Sequence, residues 1–215
     1  MIKIVVLISG NGSNLEAIAK ACQNNTIPGS IELVISNQPY VKGLERAQKY
    51  HLMSQTISHT DFSSREDFDQ TLTERVLSIE PDLVVLAGFM RILTTQFTTA
   101  FAGKLINIHP SLLPEYPGLD THKQALENGD LMHGATIHYV DEGLDSGPII
   151  AQGALKIDPS QSEAKLAQRI HKIEHALLPK VIAEIAKELI SLKGKEVKFE
   201  SKSYFGKNNM EFFNV

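Results

Sequence analysis

IKIVVLISGNGSNLEAIAKACQ, Ile2 to Gln23, is the stretch on which the reading of the fold turns. Ile2 to Ile8 is a nearly unbroken run of β-branched residues and Leu, the pattern of a strand covered on both faces in a parallel sheet. SGNGSNL then breaks the run. Ser13 followed by Glu16 reads as a capping box that opens a helix to about Gln23. The turn from Gly10 to Asn14 therefore ends on open helix amides and a partial positive charge, where a phosphate can sit; an ordinary Gly-rich turn has the same sequence. A dinucleotide fingerprint does not fit. Leu15 stands where the third glycine is needed, and the next strand ends in Ser36-Asn37 with no acid for a ribose.

Working outward, strands and helices keep alternating. Ile31 to Ile35 and Gln55 to Ser58 read as strands around a helix from Val41 to Tyr50, and Ser64 to Ile79 carries Phe68, Leu72, Val76 and Ile79 at helical spacing. Asp82 to Ala87 is again a doubly buried strand. Thr121 to Glu127 is a short helix, and Ala135 to Val140 alternates toward a partner strand, Ile149 to Ile157. A second capping box, Ser160 to Glu163, opens a long helix with apolar residues from Leu166 to Leu189, in which Pro179 predicts a kink. The fold class is α/β: a mostly parallel central sheet flanked by helices, with an antiparallel strand pair toward the C-terminal half. Residues 1–190 form the expected domain. Residues 191–215, a mixture of charged and aromatic side chains without period, are an extension with no functional reading.

A chain of 215 residues with no linker-like stretch can bury one continuous core. Its net charge of −4 and pI near 6.1 supply no basic field for a nucleic acid, though a small anion needs only a local pocket. Cys22 is the only cysteine, which excludes an intrachain disulfide. The apolar start, MIKIVVLISG, is too short to span a membrane and lacks a cleavage pattern, so the expected location is cytoplasmic.

Candidate chemistry gathers in KLINIHPSLLPEYPG, Lys104 to Gly118. Side chains alternate along the strand Leu105 to Ile108, so Asn107 and His109 leave one face side by side at its carboxyl end, the ligand-binding edge of an open parallel sheet. Pro110, Pro114 and Pro117 stiffen the loop beyond His109. Satisfaction of local backbone groups by Asn107 and His109 is the competing reading. GFMRIL, Gly88 to Leu93, comes after another strand end and supplies either a flat apolar wall or cover for the next helix. In DEGLDSGP, Asp141 to Pro148, the acids are solvated loop charge unless the loop folds over Asn107 and His109. His171, Glu174 and His175 spell an inverted zinc-protease pattern, but no third ligand accompanies it, and no metal is expected.

Together, SGNGSNL, GFMRIL, NIHPSLLPEYPG and DEGLDSGP resemble the folate-dependent formyltransferases, in the glycinamide ribonucleotide branch, across roughly Ile2 to Leu189. The resemblance implies a Rossmann-like fold and a catalytic trio of Asn107, His109 and Asp145. It implies a ribonucleotide phosphate on Gly12, Ser13 and Asn14 and a ribose on Glu174. The folate side would comprise Arg65, Met90, Arg91, Ile92 and Leu93 with Asp141, Glu142, Gly143, Leu144, Asp145 and Asn107. Asp120 departs from the pattern, standing where some relatives have His. The implied reaction, a step of purine biosynthesis, moves a formyl group from 10-formyltetrahydrofolate, a co-substrate, to the primary amine of glycinamide ribonucleotide, with no tightly bound cofactor. His109 would have to be protonated, with the charge of a neighbouring Asp145 carboxylate favouring the imidazolium against the cost of burial. A formyltetrahydrofolate hydrolase, which usually carries an extra N-terminal domain, and a non-catalytic folate or nucleotide sensor on the same fold are the alternatives; a transfer-RNA formyltransferase should have a further C-terminal domain. A monomer or a homodimer is compatible with the sequence.

Overall fold

A computed structural model describes residues 1–215. Its main sheet has eight strands, and chain order fixes their labels: β1 (Ile2–Ile8), β2 (Gly29–Ser36), β3 (Ser54–Thr56), β4 (Leu83–Leu86), β5 (Leu105–His109), β6 (Met132–Tyr139), β7 (Ile149–Lys156) and, after a separate hairpin of β8 (Ile190–Lys193) and β9 (Glu196–Phe199), β10 (Met210–Phe212). The spatial order is β10-β7-β6-β5-β4-β1-β2-β3. From β3 to β5 every neighbouring pair is parallel. β6 runs antiparallel to both β5 and β7, which makes it the expected antiparallel pair with β7, while β10 lies parallel to β7 at the edge.

The helices are α1 (Ser13–Gln23), α2 (Lys42–Lys49), α3 (Arg65–Leu77), α4 (Thr95–Ala100), α5 (Thr121–Glu127) and α6 (Glu163–Ala186). β1 shows why the sheet must be covered twice. Ile4, Val6 and Ile8 join α1 and α6 residues such as Leu15, Ile18, Leu177 and Val181 on one face, whereas Val5 and Leu7 join Phe68, Leu72, Val76 and Phe97 of α3 and α4 on the other. At roughly 1.5 to 3 kcal/mol for each large apolar side chain removed from water, this two-sided burial is the main stabilising term of the fold. α5 packs with α6 and the β6–β7 pair around Ala125, Leu155, Leu166 and Ile173. α6 continues as one helix past Pro179.

Both capping boxes need correction. α1 begins at Ser13 itself, and its cap is Gly12, in the left-handed region at φ 73° with no side-chain cap. A Cβ at Gly12 would lie 2.5 Å from the Gly43 Cα, so two backbones meet where a capping side chain would have to stand. α6 is capped by Ser162, whose hydroxyl accepts from the Lys165 amide at 3.3 Å. Ser160 is instead taken by Asp158, which accepts from its amide at 2.9 Å and its hydroxyl at 2.7 Å. The last residues close back on the main body: Phe205 is buried in the larger core, and the β10 segment adds a strand to the sheet.

Candidate active site

Three strand ends lie side by side at one edge of the sheet, because Leu7 of β1 pairs with Leu86 of β4 and Leu86 with Asn107 of β5. The segments leaving those ends are the Gly10–Asn14 turn, Gly88–Leu93 and the Pro-rich loop after His109. Two hydrogen bonds tie the first two together: the Ser9 amide donates to the Gly88 carbonyl (3.0 Å) and the Met90 amide to the Ser9 hydroxyl (2.7 Å).

On the turn side, the uncapped start of α1 presents first-turn amides with their partial positive charge. The turn is braced by Arg46, which donates to the Asn11 carbonyl and side-chain oxygens at 3.0 and 3.2 Å. Arg46 also pairs with Glu16, which holds Lys20 at 3.2 Å as well. Glu16 is thus spent on cations rather than on a capping box. Asn14 donates through Nδ2 to Glu174 Oε2 at 2.9 Å, joining the turn to α6 across 160 residues of sequence. Glu174 is only 4% exposed, and burial pushes its carboxyl up to about 7 against the single lowering contact from Asn14. The Asn14 Oδ1 is buried with no partner. Ser13 opens instead onto a cavity of about 580 Å³ between α1 and α6, shared with Lys20, Arg46, His175 and Lys180. His171 and His175 stack with ring centroids 6.2 Å apart, and no group of three or more His, Cys, Asp or Glu residues is placed to hold a metal.

The other side is built around Asp145. Its loop returns across the end of β6 because Gly147 sits against the Tyr139 carbonyl, where an added Cβ would meet that oxygen at 1.8 Å. Asp145 itself is left-handed, φ 49°, a strained conformation for a non-Gly residue. Its Oδ2 lies 3.3 Å from His109 Nδ1 and accepts the Gly118 amide at 2.9 Å, while its Oδ1 accepts from Asn107 Nδ2 at 3.3 Å. Asn107, His109 and Asp145 are therefore in mutual contact. The carboxylate is held below its ordinary range: burial pushes it up, but the His138 ring 3.7 Å away, the Gly118 amide and the electrostatic pull of the His109 imidazole outweigh that. His109 goes the other way from expectation. Burial holds the imidazole below its ordinary value, although the Tyr116 carbonyl and the Asp145 carboxylate both favour the cation. In the free protein desolvation wins over the ion pair.

His138 belongs to this cluster and carried no functional signal in the sequence. It pairs with Asn107 across the β5–β6 ladder, donates through Nδ1 to the Tyr139 carbonyl (2.9 Å) and turns Nε2 to Asn107 Nδ2 (3.2 Å) and Asp145 Oδ1 (3.7 Å). Its strand alternation was visible, but its partner across the ladder was not. Tyr116 and Gly118 were likewise missed as contacts. Asp120 caps α5 at φ 57° without a side-chain cap bond.

Of the residues assigned to the folate side, Met90 and Ile92 are 64% and 62% exposed and Leu144 is 55% exposed, so all three present bare apolar surface. Leu144 lies over Gly118. Leu93 is half-buried beside the α3–α4 cluster. Arg91 keeps a buried, unpartnered Nε, and both Arg91 and Arg65 bear electrostatically on buried Asp69. Arg65 also pairs with Glu66 at 3.6 Å. Asp141, Glu142 and Gly143 are exposed, with Asp141 Oδ1 accepting the Gly143 amide (3.1 Å) and the Ser146 hydroxyl (2.8 Å).

The formyl transferase family profile matches residues 2–182. The chain is 50% identical over 183 residues to a phosphoribosylglycinamide formyltransferase of Escherichia coli, covering 85% of this chain and 86% of the relative. It is 42% identical over 185 residues to the enzyme of that name from Bacillus subtilis, covering 86% and 95%. Among solved structures, glycinamide ribonucleotide transformylase 1 from Symbiobacterium toebii superposes with a TM-score of 0.90 at 41% identity, covering 93% of this chain and 94% of that one. By sequence and by fold, the chain belongs to the formyl transferase family.

Proposed function

We propose that the chain transfers the formyl group of 10-formyltetrahydrofolate to the primary amine of glycinamide ribonucleotide, releasing N-formylglycinamide ribonucleotide and tetrahydrofolate. The observation that carries this reading is the double engagement of Asp145 Oδ2, by His109 Nδ1 and by the Gly118 amide, beside Asn107. The ribonucleotide phosphate takes the Gly12–Asn14 amides and its ribose the Glu174 carboxylate. The pterin lies against Met90, Arg91, Ile92 and Leu93 under the loop of Asp141, Glu142, Gly143 and Leu144, and Arg65 and Arg91 face the anionic end of the folate.

The amine attacks the formyl carbon, a C–N bond forms and the carbonyl oxygen becomes an oxyanion. Asn107 Nδ2 donates to it, and so does Nδ1–H of His109 once that ring is cationic. In the free protein one Asn107 proton is directed at Asp145, so the oxyanion takes over the longer of the two Nδ2 contacts. The developing negative charge also supplies what burial denies the free imidazole, so His109 takes up a proton from solvent at Nδ1 and is cationic as the reaction advances. Asp145 accepts the proton lost by the attacking nitrogen, directly or through a water. Collapse of the intermediate breaks the bond to the folate N10, which leaves protonated as tetrahydrofolate.

The test is turnover of 10-formyltetrahydrofolate with and without glycinamide ribonucleotide. Formation of tetrahydrofolate and formylated ribonucleotide in equal amounts, dependent on the ribonucleotide, is expected. Release of formate at the same rate without it would identify a hydrolase, and no turnover under either condition would identify a binding protein.

A further inference from the structure

The segment Tyr116-Pro117-Gly118 touches both acid–base groups of the site. The Tyr116 carbonyl accepts from His109 Nε2 at 2.8 Å, and two residues on the Gly118 amide donates to Asp145 Oδ2 at 2.9 Å. Tyr116 holds this place in a left-handed conformation, φ 55°, which a non-Gly residue keeps only when its surroundings enforce it. Enforcement comes from the far end of the side chain. The hydroxyl donates to Asp130 Oδ2 at 2.6 Å and accepts from Asn128 Nδ2 at 2.8 Å, both just beyond α5. The ring stands edge-on to His133 and packs with the α5–α6 cluster. Asp130 is tied down in turn, its amide donating to the Ala125 carbonyl at 3.1 Å.

A neutral imidazole has one N–H and one lone pair, and here both ring nitrogens face oxygens. Of the two contacts, the one to the Tyr116 carbonyl is the shorter, 2.8 against 3.3 Å, and only it lies within the ordinary N–H···O range. A proton on Nε2 satisfies it and leaves Nδ1 as the nitrogen that gains and loses a proton beside Asp145. We propose that Tyr116 is a positioning residue for formyl transfer: its carbonyl fixes the His109 tautomer and ring orientation, and its hydroxyl, anchored on Asp130 and Asn128, holds that carbonyl in place. The catalytic step it serves is the one proposed above, but the tautomer is a property of the free chain.

The experiment uses the full chain with Tyr116→Phe, Asp130→Ala, Asp130→Asn and the double variant Tyr116→Phe/Asp130→Ala, each checked for an unaltered melting profile. Ring nitrogens of His109 are read by nitrogen-15 NMR, and kcat and KM for both substrates by steady-state kinetics. Expected in the wild type is a protonated Nε2 with Nδ1 titrating. In Tyr116→Phe that tautomer becomes mixed and kcat falls about 10-fold, the usual cost of losing an orienting partner, while KM for both substrates stays within about twofold. Asp130→Ala behaves the same way, the double variant is no worse than either single one, and Asp130→Asn retains most of the activity because its amide oxygen accepts the same hydroxyl. A wild-type tautomer and kcat in Tyr116→Phe would overturn the proposal, as would a loss expressed only in KM. Should the wild type transfer no formyl group, the nitrogen-15 comparison still decides the positioning role, so the two readings fail separately.

Discussion

The site contains two carboxylates taken out of water to different effect. At the end proposed to hold the phosphate Glu174, 4% exposed, has one donor, Asn14, and burial drives its carboxyl up to about 7. At the end proposed for formyl transfer Asp145 is also desolvated, yet the neighbouring His138 and His109 imidazoles and the Gly118 amide keep it below the ordinary range. The difference lies in the number of donors, not in burial alone. Asp145 is a standing anion suited to organising a proton, whereas Glu174 changes charge near neutrality, as suits the ribose-binding role proposed for it.

The largest expected effect breaks the transfer end. Asp145→Asn removes the proton acceptor and the charge beside His109, so kcat should fall on the order of 1000-fold while calorimetry finds ribonucleotide affinity within about threefold. Near-normal turnover in a folded Asp145→Asn protein would remove the basis of the mechanism.

Glu174→Gln should act in the opposite sense on each count. Ribonucleotide binding weakens by roughly 10- to 100-fold, because a charge-assisted hydrogen bond to the ribose is lost, and kcat at saturation changes little. Stability of the free chain rises. A carboxyl whose folded value, about 7, exceeds its ordinary 4.5 favours folding below 4.5, and that advantage is lost as pH rises through about 7. At pH 8 the Gln variant should therefore be more stable by about 3 kcal/mol, with no gain at pH 4; denaturant unfolding at the two pH values measures this.

A smaller contrast comes from pH alone. Behind the transfer end His122 and His133 share a hydrogen bond at 3.0 Å, and burial lowers each from 6.5 to about 4. Both are neutral in the fold, so their contribution is intact above 6.5 and is lost as pH falls toward about 4, on the order of 2 kcal/mol apiece after allowing for partial solvent screening. Hydrogen exchange should therefore show α5 and β6 loosening in acid, while the packing of α1 and α6 around the buried Glu174 loosens as pH rises through neutrality and the carboxyl ionises. Uniform loosening of both regions with acid would contradict the contrast.

The two ends also differ in how much of each the sequence disclosed. The phosphate end is local: a buried strand, a glycine turn and a helix start succeed one another within Ile2–Gln23, so one segment suffices to read it. Its error, a capping box at Ser13, arose because the approach of Gly12 to Gly43 is a contact between distant backbones. The transfer end is assembled from β5, the Tyr116–Gly118 segment, β6 and the loop before β7. Asn107 and His109 stood out because strand alternation put them together, but His138 depends on ladder register and Tyr116 on a loop folding back. Asp145 entered through resemblance to a family pattern, not through spacing. The tail stayed unread for a related reason: strands of three and four residues, Met210–Phe212 and Glu196–Phe199, are too short to show a period and are set by the edges they join.

Carbon-13 NMR of the Asp145 and Glu174 carboxyls in the free chain, followed from pH 3 to 9, tests the central contrast most directly. Asp145 should remain ionised down to below its ordinary 3.8, and Glu174 should titrate near 7. Titration of Glu174 near its ordinary 4.5, or of Asp145 above 3.8, would contradict the division of work between the two ends.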